Sequence, residues 1–176
     1  MSKEKDFAES GLDIQSAMLR HAKAFPNPST RPKTILWGSH EIRTSLKLSV
    51  PCAGTMSLRF LSPPDPIPQA IDIKIPSGGV KLRGGEVVPL LRTWQDERYE
   101  DSVEYEYEAP ERCLFVWNAY RVDWPSGTVT EEKWTGNAGF WVDQKSDKTL
   151  VFHCSPGPIG RPDFERLVFE LRILDR

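Results

Sequence analysis

Residues 100–111 read EDSVEYEYEAPE, and within them Glu104, Glu106 and Glu108 occupy every second position. Carboxylates at that period suit two chemistries: holding a cation, or presenting negative charge to a basic partner. A hard cation takes several oxygen ligands at about 2.3–2.6 Å, whereas side chains two residues apart on a strand stand about 7 Å apart. The row by itself therefore does not gather around one ion, and no metal site is expected. It is a stripe of negative charge, extended in sequence by Asp96, Glu97, Glu100 and Asp101. Its use would be docking a protein with a basic surface, where such charges set on-rate and specificity more than affinity. The plain alternative is a solvated sheet face with Lys or Arg neighbours across the strands.

The residues that carry nucleophilic chemistry are scattered. Cys52, Cys113 and Cys154 are widely spaced without a CxxC pair, which fits reduced thiols rather than a disulfide framework or a zinc site. His153 and Cys154 are neighbours in LVFHC, so in a strand they point to opposite faces and cannot act as a base and nucleophile pair. A set of Cys113, His153 and an acid can be written down, but nothing marks an electropositive niche that would activate the thiol. No GxxxxGK[ST], GxGxxG after a strand, HExxH or GxSxG occurs. No cofactor is expected, and the balance leans away from an enzyme.

Six tryptophans are many for this length. Trp94 and Trp117 lie inside apolar runs and are expected in the core. Trp124, in VDWPSGT, and Trp134, in EKWTGNAGF, flank loops, where an aromatic ring can stack on a sugar or peptide. The segment LFVWNAYRVDW followed by EEKWTGNAGFWV resembles the terminal strands of starch- and glycogen-binding β-sandwich modules, with their Trp-Asp-Asn-Asn-x-Gly-x-Asn-Tyr pattern. Trp134, Asn137 and Phe140 fall on its Trp, an Asn and its aromatic; Thr135 and Gly136 depart from it, and a long strand follows where those modules end. The resemblance covers the Trp117 to Val142 region and implies a sandwich, with Trp124, Trp134, Asn137 and Trp141 as the ligand-stacking set.

The elements that position these residues change period along the chain. SGLDIQSAMLRHAKA, from Ser10 to Ala24, carries Ile14, Ala17, Met18 and His21 at helical spacing, with Ser10 or Asp13 to cap it. The three prolines of FPNPSTRP then end it. From Glu41 to Val50 the period becomes 2, predicting one half-buried strand with Ile42, Thr44, Leu46, Leu48 and Val50 inward. TMSLRFL repeats that pattern. SPPDPIP makes a crossover, AIDIKI and VKL are expected to form a hairpin across PSGG, and further strands follow in EVVPLLRTW, SVEYEYEA, RCLFVWNAYRVDW, TVTEEKW, GFWV, TLVFHC and ERLVFELRIL. In SVEYEYEA the aromatic side, with Val103, Tyr105 and Tyr107, faces the core and the glutamates face away.

The fold class is therefore all-β: an antiparallel β-sandwich or jelly roll of about 8–10 strands with an N-terminal amphipathic helix. The expected domains are a helix and Pro-rich linker over 1–33 and a sandwich over 34–176. A net charge of −2 and pI near 6.0 give no global basic field, which disfavours nucleic acid. No long apolar run or signal-type start is present, so neither membrane association nor export is expected and the location is read as cytoplasmic. The leading function is a non-enzymatic module docking onto another protein, of immunity-protein or adaptor type. A carbohydrate-binding module using loop tryptophans is the second reading. The third is a small-molecule enzyme with a sandwich or barrel cavity, which would need some of Glu104, Glu106, Glu108 or Asp123 to point inward.

Overall fold

The structure, a computed structural model, describes residues 5–97 and 100–174. It is an all-β sandwich of two antiparallel sheets with one helix near its N-terminus. The seven-stranded sheet holds, in spatial order, β12 (Gly139–Ser146), β13 (Thr149–Ser155), β14 (Leu167–Leu174), β4 (Ala53–Phe60), β9 (Ser102–Glu108), β6 (Gly79–Lys81) and β7 (Val87–Val88). The five-stranded sheet runs β11 (Val129–Glu132), β10 (Cys113–Asp123), β5 (Gln69–Lys74) and β8 (Leu90–Trp94), with β3 (Leu46–Ser49) also paired to β10. A hairpin of β1 (Ile35–Trp37) and β2 (His40–Ile42) stands apart from both.

The core lies between the sheets because each strand turns its apolar side inward. Met56, Leu58, Phe152, Phe169 and Leu171 from one sheet meet Ile71, Ile73, Leu114 and Val116 from the other in a single buried cluster. A smaller cluster of Phe7, Ile14, Ala17, Ile35 and Ile42 joins the helix to the β1–β2 hairpin.

The helix, α1 (Ile14–Ala24), begins at Ile14, the first of the residues at helical spacing. Gly11 adopts φ +73°, outside the helical region, and Asp13 is the cap, its carboxylate accepting from the Ser16 amide at 2.7 Å.

Three strand expectations are corrected. The run from Glu41 to Val50 is two strands: Ile42 pairs with Ile35, Arg43 bridges to Phe140, and only from Leu46 does the chain pair with β10. Alternation persists through the break, so the period alone could not show it. AIDIKI and VKL do not form a hairpin, since β5 and β6 belong to different sheets and PSGG is the corner between them. Gly78 and Gly79 are needed there for close approach: a Cβ would lie 2.0 Å from the Glu108 carbonyl oxygen at the first and 2.6 Å from that of Val88 at the second. EVVPLLRTW likewise divides at Pro89, with β7 in one sheet and β8 in the other.

Candidate functional site

β9 follows the expected alternation, with Tyr107 buried, Val103 and Tyr105 half-buried, and Glu104, Glu106 and Glu108 exposed on the outer face. Register with β4 sets Glu104 opposite Ser57, Glu106 opposite Thr55 and Glu108 opposite Ala53. On the other flank β6 supplies one cation, Lys81, whose Nζ lies 3.6 Å from Glu106. Among the described residues no ion pair reaches Glu104 or Glu108. The neighbours directly opposite on β4 are therefore small and neutral, and among the described residues only Glu106 has an ion pair.

The rest of the acidic set is elsewhere. Asp96 and Glu97 face Arg121 of the five-stranded sheet, at 4.0 and 3.3 Å. Glu100 and Asp101 are exposed, the Asp101 carbonyl accepting from the Phe60 amide. Only Glu104, Glu106 and Glu108 share one strand face.

The tryptophan set is also divided. Trp124 is 48% exposed at the tip of the β10–β11 ribbon, its indole N–H donating to Thr130 Oγ1 at 2.8 Å. Trp134 is 43% exposed beyond β11 in a left-handed conformation at φ +60°, with its ring centroid 5.2 Å from that of Trp117 and the Lys133 ammonium 4.6 Å above it. Trp141 belongs to the other sheet, and both of its faces are covered: His40 stacks at 4.1 Å and His153 at 3.9 Å. Asn137 is buried, its Oδ1 accepting from the Ile14 amide at 3.3 Å and its Nδ2 donating to the Ile159 carbonyl at 2.6 Å. It ties the helix start to the 157–160 loop instead of facing a ligand.

Two constellations escaped sequence reasoning. Trp117, Asp72 and Arg92 meet across β10, β5 and β8 on the outer face of the five-stranded sheet. Asp72 is fully buried, takes the Arg92 fork at 2.6 and 2.7 Å and the Trp117 indole N–H at 2.7 Å, while Arg92 also reaches Glu131 at 2.6 Å. Donating to the Asp72 carboxylate raises the Arg92 pKa and holds the guanidinium charged. A lone Asp within AIDIKI was the available signal, but the register that makes these residues neighbours is not written in any one segment. The second is the His40–Trp141–His153 stack, with His153 Nδ1 3.0 Å from Glu165.

The Cys113 and His153 pairing does not assemble. Leu114 and Val116 point into the core, so Cys113 faces the outside of the five-stranded sheet, and His153, between core residues Phe152 and Cys154, faces the outside of the other. Burial pushes the Cys154 thiol well above its usual pKa, leaving it protonated and inert. Among the described residues no group of His, Cys, Asp and Glu is placed to hold a metal, and no helix is long and apolar enough to cross a membrane.

Comparison with protein families, with curated proteins and with solved structures finds no match to this chain.

Proposed function

We propose that the chain is a non-enzymatic binding module that docks a basic protein surface onto the outer face of β9. The observation that carries this reading is the row of Glu104, Glu106 and Glu108, exposed along one strand with Lys81 as the sole ion-pair partner among the described residues. A flat sheet face with carboxylates about 7 Å apart complements lysines or arginines at similar spacing on a partner strand or helix. Such contacts steer encounter and are screened within about 10 Å at 0.1 M salt. The test is capture of a partner from an extract of the source cells at low and high salt, beside the Glu104→Lys, Glu106→Lys variant. A partner held by the wild type at low salt and lost in both other arms supports the reading; retention by the variant sinks it.

Carbohydrate binding is the second reading, favoured by the exposure of Trp124 and Trp134 on the β10–β11 ribbon. Trp141 contributes no open ring face to it. Retention of the wild type on an immobilised polysaccharide, abolished by Trp134→Ala, would establish it. The enzyme reading needed an inward carboxylate, and Glu104, Glu106, Glu108 and Asp123 are all exposed.

A further inference from the structure

Lys133 places its ammonium against two indoles at once, 5.0 Å from the ring centroid of Trp117 and 4.6 Å from that of Trp134. The rings stand 5.2 Å apart and are inclined at 57°, so they make two walls of a corner rather than a stack. Among the described residues this ammonium is in no ion pair. A cation over a Trp face is attracted by the ring quadrupole, and converging faces are the usual means of recognising methylated ammonium groups.

Both walls are held independently of the lysine. Trp117 is 4% exposed, and its indole N–H is fixed on the fully buried Asp72 carboxylate at 2.7 Å. Donation to a carboxylate polarises the ring and strengthens the pull of its face on positive charge. Trp134 is 43% exposed and is aimed by its backbone, at a φ of +60° that a bulky residue seldom adopts. Strain of this kind gathers at ligand sites, where it sets the position of a side chain.

The charges beside the corner call for a cation. Asp72 and Glu131 carry two negative charges against the single positive charge of Arg92, which bonds to both. Lys133 completes the balance, and without it the site is net negative. As an occupant it is replaceable: it is half-buried on a flexible stem, and a primary ammonium is strongly hydrated and regains water on leaving. A fully methylated ammonium regains little, so the exchange favours it.

We propose that the Trp117–Trp134 corner binds a quaternary ammonium group and is closed in the free protein by Lys133. The site shares no residue with the acidic stripe on β9, and unlike a sugar subsite it demands positive charge in its ligand.

The experiment titrates choline, a capped trimethyllysine and the uncharged carbon isostere of choline into the full chain, following the indole N–H signals of Trp117 and Trp134 by NMR. Both cations should give saturable shifts and the isostere none; the tighter cation identifies the source as a free headgroup or a modified side chain. Lys133→Gln, which removes the competing charge, should bind the cations about tenfold more tightly, the worth of the contact no longer displaced. Trp134→Ala should abolish binding while the Trp117 indole signal keeps its place and reports an intact fold. Absence of saturable shifts in Lys133→Gln, equal binding of the isostere, or cation binding that survives Trp134→Ala would overturn the proposal.

Discussion

Trp117 donates its indole N–H to Asp72 at 2.7 Å, so a carboxylate with no exposed surface is held on the side of a sheet that would ordinarily face water. The Arg92 fork completes its shell. Removing one partner of a buried ion pair strands the other, so Arg92→Met should cost about 3–5 kcal/mol. Trp117→Phe, losing only a hydrogen bond to a charged acceptor, should cost about 1.5–3 kcal/mol. Urea unfolding of the two variants checks both, and a smaller loss for Arg92→Met than for Trp117→Phe would contradict the arrangement.

On the acidic stripe, exposed charges contribute little to stability, each exposed pair being worth about 0–1 kcal/mol. Glu104→Lys with Glu106→Lys should therefore leave the melting temperature nearly unchanged while slowing association with the captured partner and flattening its salt dependence. Stopped-flow or surface binding across a salt series reads this directly, and an unchanged on-rate would exclude the stripe.

Thr93 presents the opposite case to Asp72. Its Oγ1 is buried without a hydrogen-bond partner among the described residues, although Thr93 stands on β8 opposite core residue Ile71. Thr93→Val removes the unbonded hydroxyl at nearly constant volume and should raise stability by about 1 kcal/mol. Thermal unfolding would show it as an increase in Tm.

Asp6 clips the N-terminal arm to the β1–β2 turn, accepting from the Ala8 and Gly38 amides at 2.9 Å each. Those bonds favour the ionised carboxylate and lower its pKa below the usual 3.8. A depressed acid stabilises the fold above its unfolded pKa and loses that contribution as pH falls through the folded value. The Ala8 and Gly38 amide resonances should titrate together with a midpoint below 3.8, and Asp6→Asn should abolish the common transition.

Cys52 is exposed while Cys113 and Cys154 are buried. Native alkylation should therefore modify Cys52 alone, with the other two reacting after denaturation. Peptide mapping by mass spectrometry gives the answer.

Period-2 patterning made β4, β9 and β14 legible, together with the outward direction of the glutamates, because each strand is half-buried and alternation follows from one wet face. It said nothing of which sheet a strand joins. The splits at Arg43 and at Pro89 are changes of sheet within runs whose local pattern hardly alters, and the turn signal at 76–79 does not say whether the strands it joins share a sheet. The candidate site shows the same division. The stripe from Glu104 to Glu108 lies within one strand and is legible; Asp96 and Glu97 adjoin it in sequence, though the fold assigns them to Arg121. The Trp117–Asp72–Arg92 contact spans three strands from separate stretches of chain and depends on register, which no single segment encodes.

β14 is the last strand in the chain order yet lies mid-sheet, between β13 and β4. Phe169 pairs with Phe60, so the contact that joins the two halves of the seven-stranded sheet spans more than a hundred residues. Pairing over such a loop is slow to form. On the ribosome, β4 would wait with one edge unpaired until residue 174 has emerged, and that interval is when a nascent chain is most exposed to edge-to-edge aggregation.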